Sequence, residues 1–241
     1  MTDDRATAAR FPVGLEEAVD GATHVHSFSI PGCAATGSNK EAALEAFAPV
    51  LSTWIRYLSE QGEASVPGSD ELEIVVEEWI STAADVSSGE SQACFEADRA
   101  PIGADELLNG LQRIGTLRGQ LVPLVRRMSN EQLERIGDPQ YTLRTILDEL
   151  ARAQWWVLTR LGASPLAQVP EGVVARLDTA MALVVQVLAN LPPQARNRTL
   201  ELEGEEWTAR KVLRRLLWLE WSLGAAAIHA LRSETRQANL R

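Results

Sequence analysis

Four runs of apolar residues at three- and four-residue spacing fill the second half of the chain, and they constrain its fold more than any other feature. They cover about residues 104–128, 143–161, 171–191 and 209–232. The first sets Leu107, Leu108, Leu111, Ile114, Leu117, Leu121 and Val125 along one stripe, with Pro123 as an expected kink. The last sets Val212, Leu216, Leu219, Leu223, Ala226 and Ala230 along another. A helix with such a stripe is stable in water only when the stripe is covered. Four consecutive helices in that position are expected to cover one another as an up-down four-helix bundle over residues 102–241.

The first half has a different character. Residues 1–100 carry five Lys/Arg against eighteen Asp/Glu, whereas the remainder carries eighteen against fifteen. A shift of that size points to two domains, and the acidic excess disfavours a nucleic-acid partner for the first. The boundary is expected at a linker over 83–101, within the small and polar stretch STAADVSSGESQACFEADRAP. The chain's start lacks an apolar leader and no run reaches the roughly 18 apolar residues of a membrane span, so a cytoplasmic protein without membrane contact is expected. Cys33 and Cys94 lack CxxC spacing, and buried or incidental thiols are the expectation.

Within residues 1–82 the pattern predicts ββαβ. Two short segments, Phe11–Ala18 and Thr23–Ile30, flank Asp20-Gly21, a turn pair suited to a hairpin. A helix follows over about 38–62, with Ser38 and Glu41 as a capping box, Pro49 as a kink and Gly62 as the stop. The segment Glu71–Ile80 is the last strand. His24 and His26 alternate on the second strand and share a face. Two histidines at that spacing can chelate a metal. With no third His, Cys or well-placed carboxylate nearby in sequence, the pair is taken as a solvated or interface face.

The order of these elements and the stretch DGATHVHSFSIPGCAATGSNKEAALEAF, with its Pro31-Gly32-Cys33 turn, Gly37 and the Glu41-Ala42 helix start, resemble the HicB-like fold over about residues 9–80. The resemblance implies an antitoxin-like inhibitor of a partner protein. No DNA-binding segment of the kind that follows this domain in many such antitoxins is found here.

In the helical half, YTLRTIL (141–147) and WTARKVL (207–213) form a quasi-repeat that starts two helices alike, with Thr142 and Thr208 as N-caps. Together with ILDELARAQWWVL and EEWTARKVLRRLLWLEW, this half is similar to the DinB-like superfamily over roughly 102–232. That resemblance implies homodimerisation and, in many members, a divalent metal held by three histidines and used in thiol-dependent transfer or isomerisation. Here the equivalent positions are Glu149, Leu219 and Leu223. Two leucines offer a cation no lone pairs, so the position is expected to be core, without metal or other cofactor. His229 lies too far round the last helix to rebuild the pair and is taken as a flank or surface residue. Glu149, Trp155, Trp156, Glu220 and Trp221 are the candidate lining of a small-molecule pocket. The cluster Arg210, Lys211, Arg214 and Arg215 is expected to be solvated or docked on the acidic domain.

The functional expectation is an α+β two-domain protein whose helical half binds a small molecule or a protein partner without metal or catalysis. A metal-dependent thiol transferase or isomerase with a relocated site is the first alternative. A HicB-like antitoxin is the second.

Overall fold

The structure, a computed structural model, describes residues 9–63, 72–164 and 168–239, with side chains to Arg236. The protein is α+β, with two compact units, Met1–Arg99 and Ala100–Arg241. Among the described residues no helix is long and apolar enough to cross a membrane.

In the first unit, β1 (Ala9–Ala18), β2 (Thr23–Ser27) and β3 (Ala34–Gly37) form an antiparallel meander. Helix α1 (Lys40–Glu60) then leads to β4 (Leu72–Thr82), which pairs parallel to β1, for a sheet order β3-β2-β1-β4. Strand β3 corrects the ββαβ expectation: AATG pairs with β2 instead of continuing the turn after Pro31 and Gly32. The expected strand start at Glu71 lies outside the described residues. The Asp20-Gly21 turn closes β1 on β2, with Gly21 at φ 90° and the Asp20 carboxylate accepting from the Ala22 amide. Helix α1 packs on β2 and β3 and buries Ala43, Phe47, Leu51, Trp54 and Leu58. Its cap is Asn39, one residue beyond the expected Ser38, with Oδ1 accepting from the Ala42 amide at 2.9 Å. Pro49 lies inside this helix, and Gly62 leaves it at φ 78°.

Residues 83–99, expected as linker, belong to this unit. They form a 3-10 turn (Val86–Ser88) that packs on β1, β2 and β3, and a short helix α2 (Glu96–Arg99). The sheet is therefore covered on both faces, which is why all five residues of β2 are buried. On the face away from α1, Gly14 leaves space that the Phe95 ring fills. A Cβ there would lie 2.5 Å from that ring.

The second unit contains the four expected helices: α3 (Ala104–Val125), α5 (Leu143–Thr159), α6 (Val173–Ala189) and α8 (Ala209–Asn239). Helix α3 ends three residues earlier than expected, shortly after Pro123, and α8 runs seven residues longer. Among the described residues α3 touches α6 and α8, and α5 touches α6 and α8, so the ring order is α3-α6-α5-α8. This corrects the up-down expectation, in which successive helices are neighbours: α3 and α5 face each other across a diagonal. The connections permit it. The α3–α5 link carries α4 (Asn130–Arg135) and a hairpin of β5 (Gly137–Asp138) with β6 (Tyr141–Thr142). The α6–α8 link carries α7 (Pro193–Arg196) and a hairpin of β7 (Leu200–Leu202) with β8 (Glu205–Trp207). Glu203 and Gly204 turn the second hairpin with φ 58° and 78°, the left-handed pair that a two-residue turn requires.

Both hairpins deliver a threonine to a helix start, as the quasi-repeat implies. Thr142 Oγ1 accepts from the Thr145 amide at 3.3 Å, and Thr208 Oγ1 from the Lys211 amide at 3.1 Å. The basic cluster is neither solvated nor free. Lys211 is fully buried, its Nζ donating to Glu205 and to the Glu206 carbonyl at 2.8 Å each. Arg214 and Arg215 are buried, and Arg210 pairs with Glu106 and donates to the carbonyls of Ala100 and Pro101.

Candidate functional site

Helix α8 changes role along its length. Val212, Leu213, Leu216, Leu217 and Leu219 are buried in the core of the second unit; Leu223, Ala226 and Ala230 are partly buried against it. The residues at the resemblance-derived positions differ in burial. Leu219 is core and Leu223 borders it, as the aliphatic expectation requires. Glu149 is half-buried and is hydrogen-bonded to the Tyr141 hydroxyl, which donates to its Oε2 at 2.8 Å.

The bundle interior nevertheless contains polar groups that the sequence reading did not place there. Arg118 on α3, Gln154 on α5 and Glu220 on α8 are all buried. Arg118 Nε donates to Glu220 Oε1 at 2.8 Å and its Nη2 to Glu220 Oε2 at 2.8 Å, a bidentate pair. The same Nη2 donates to Gln154 Oε1 at 2.9 Å, and Nη1 to the Leu177 carbonyl of α6 at 2.9 Å. Gln154 Nε2 closes the network on Glu220 Oε2 at 2.9 Å. One guanidinium thus joins all four helices. Three of the carboxylate's roughly four acceptor positions are used, its charge is balanced by Arg118, and the arrangement is a structural tie. Glu220, expected in a pocket lining, is bound in this network.

Among the described residues, none of the tryptophans lines the cleft described below. Trp156 is 42% exposed, its ring edge-on to buried Trp207 at 5.4 Å, with the Arg160 guanidinium stacked over it at 4.3 Å. Lys211 lies under Trp207 at 4.4 Å, so this cluster seats the β7–β8 hairpin through cation–π contacts. Trp155 is partly buried against the core and Trp221 is half-buried.

Open volume is found at another place in the unit. A cleft of about 700 Å³ is bounded by the end of α4, the β5–β6 hairpin and the C-terminal half of α8. Its floor is Ile146, Ala226 and Ala230; exposed Ala225 borders it, and its rim is Arg135, Asp138, Tyr141, His229, Ser233 and Glu234. Small side chains on α8 leave this volume, and the hairpin supplies the opposite wall. His229, expected as a surface residue, is exposed and forms part of the rim. Arg135 and Glu234 lie 3.6 Å apart across it. Tyr141 has its pKa pushed up to about 12, first by burial and then by the hydrogen bond and negative charge of Glu149. At neutral pH it is a fixed hydroxyl whose proton is already committed to Glu149, which leaves its oxygen lone pairs as acceptors. Of the residues expected in a pocket, Glu149 reaches this cleft's lining through Tyr141. The sequence signal for the cleft was the GAAA run at 224–227, which follows the leucines of α8 and removes their bulk.

No family model, curated protein or solved structure matches this chain.

Proposed function

We propose that the second unit is a DinB-like bundle that binds a small organic molecule in its end cleft and does so without a metal in the bundle. The first unit, in this reading, is a HicB-like domain. The observation that carries the proposal is the division of labour inside the bundle. The centre is filled by Leu219 and by a closed Arg118–Gln154–Glu220 network, while accessible volume with converging polar groups lies at the end. A cavity of this size with a methyl floor and a polar rim suits a drug-sized ligand having one apolar and one polar side. Arg135, His229, Tyr141, Ser233 and the acidic pair Asp138 and Glu234 offer donors and acceptors of both signs, so a ligand with mixed polar groups fits better than a simple anion.

Ligand-observed NMR of the full chain against a library of small amphiphilic acids, amines and thiols tests this reading. Ala226→Trp fills the floor and is expected to abolish saturation transfer to the hits while leaving the far-UV spectrum unchanged. Hits that bind the filled variant equally well would overturn the assignment of the cleft. Bound metal that persists after replacement of His24 and His26 and disappears on Leu219→Asp would overturn the metal-free bundle.

A further inference from the structure

In the first unit, pairing of β1 with β2 sets Glu16 opposite His24 and Gly14 opposite His26. Strand alternation then points Glu16, His24 and His26 to one face of the sheet. That face is the one covered by residues beyond β4, and the three side chains are buried, at 0%, 1% and 2% exposure. This corrects the expectation of a solvated histidine face, and it supplies the carboxylate that the linear sequence seemed to lack. One donor atom from each residue lies within 4.8 Å of the others. Glu16 Oε2 is 3.6 Å from His26 Nε2, and the two imidazole centroids are 4.0 Å apart.

The carboxylate is held in place from behind. Glu16 Oε1 accepts from the backbone amides of Gln92 at 2.7 Å and Ala93 at 3.0 Å, which fixes the group and turns Oε2 toward the imidazoles. Among the described residues, Oε2 accepts no hydrogen bond. Phe95 closes the site above, 5.5 Å from the His26 ring, in the space left by Gly14.

These distances bear on what the cluster holds. At 3.6 Å the Glu16–His26 pair is longer than a hydrogen bond. Two donors each about 2.0–2.1 Å from a tetrahedral zinc stand roughly 3.4 Å apart, so the observed spacing is close to that of ligands around such an ion. Two imidazole nitrogens and one monodentate carboxylate oxygen suit a borderline divalent cation, whereas calcium and magnesium take six or more donors that are mostly oxygen. A buried carboxylate also requires a compensating positive charge.

We propose that Glu16, His24 and His26 form a structural metal centre for zinc or a zinc-like divalent cation. The ion joins the β1–β2 hairpin, and through the outer oxygen of Glu16 it fixes the segment around Gln92 and Ala93 on the sheet. Ser91, buried and with Oγ 3.5 Å from His26 Nε2, stands beside the position of a fourth donor. Because every donor is enclosed, binding of the ion and folding of this unit are coupled. The inference concerns the first unit alone and stands apart from the cleft.

The test uses the full chain, stripped with a chelator and dialysed, and then titrated with Zn²⁺ or Co²⁺. Close to one equivalent of zinc per chain is expected, with a rise in Tm and with visible ligand-field bands for Co²⁺ of tetrahedral intensity. Glu16→Gln keeps a carbonyl oxygen for the Gln92 and Ala93 amides and removes the anionic donor; it is expected to weaken Zn²⁺ binding at least tenfold. His24→Asn and His26→Asn are expected to abolish the Co²⁺ bands, and His229→Asn to leave them unchanged. Circular dichroism establishes that each variant is folded, and Glu16→Gln serves where a histidine variant is not. A wild-type chain with no zinc-dependent Tm shift and no Co²⁺ bands would overturn the proposal. So would a folded Glu16→Gln chain with undiminished affinity.

Discussion

Replacing Arg118 by Met is the sharpest test of how the helical unit holds together. Methionine keeps much of the length of the side chain and is a good helix former, so the change acts mainly on the interior network. Four hydrogen bonds are lost at once: two to Glu220, one to Gln154 and one to the Leu177 carbonyl. Glu220, 1% exposed, then keeps the Gln154 amide but loses the cation that balances it. Removing one partner of a buried pair costs about 3–5 kcal/mol, because the remaining charge stays desolvated. For a unit of this size each kcal/mol lowers Tm by roughly 2–4 °C, so a fall on the order of 10 °C is expected. Five of the seven tryptophans lie in this unit, so fluorescence-monitored urea and thermal unfolding report chiefly on it. The triple variant Arg118→Met, Gln154→Leu, Glu220→Leu leaves no orphaned charge and is expected to regain most of the loss. An Arg118→Met chain within about 1 kcal/mol of wild type, or a triple variant no more stable than the single, would refute the account of the network as an obligatory, mutually satisfied set.

Three other outcomes are expected. In a Tyr57→Phe background, ultraviolet difference titration should give Tyr141 a pKa of about 12, and Glu149→Gln should lower it. The unfolded chain ionises at the ordinary value of 10.0 while the folded chain holds its proton, so this group's contribution to stability is complete below pH 10 and is lost as pH rises toward 12. Thr142→Ala and Thr208→Ala each remove a helix cap and should cost about 1 kcal/mol in urea unfolding, nearly additively, since they start different helices. Gly14→Ala drives a methyl group into Phe95 and Phe28 and should destabilise the first unit by about 1–3 kcal/mol, with Phe95→Ala in the same chain relieving the Phe95 part of the clash only.

The boundaries of the four long helices could be read from the sequence because their causes are local. Thr142 and Thr208 announce two starts, and the apolar stripes mark the lengths. The hairpin was legible in the sequence, but its register was not. Asp20-Gly21 as a two-residue turn sets Glu17 against His24; the loop has three residues, Val19 to Gly21, and sets Glu16 there, so the missing carboxylate was one strand pairing away. Proximity along the chain was the wrong measure of proximity across a sheet. The ring order of the bundle was not legible, because it is decided by whether short hairpins can carry the chain across a diagonal, and β5–β6 and β7–β8 are only two or three residues per strand.

The interior network shows a subtler failure. Leu117 was assigned to the stripe of α3, but the buried positions run Leu107, Leu111, Ile114, Arg118, Leu121, Val125, an unbroken alternation of four and three in which Arg118 is a member. Helix α5 does the same with Leu143, Leu147, Leu150, Gln154 and Val157. Along α8, Leu213 and Leu216 lead to Glu220 with the same spacing. A stripe of apolar residues alone omits such positions and places Leu117 where the seam has its neighbour Arg118. A polar residue falling on the seam of one helix is an anomaly. On three helices of one bundle, with a cation, an anion and an amide able to serve both, it is a set whose members satisfy one another. The cost of burying each is met only when all three meet at one level, so the network also fixes the axial register of the helices. A core of leucine alone would leave that register less defined. Opposite-sign and amide residues at seam positions of different helices are therefore the sequence signature of such a network, and the pairing they require places α3, α5 and α8 around one point.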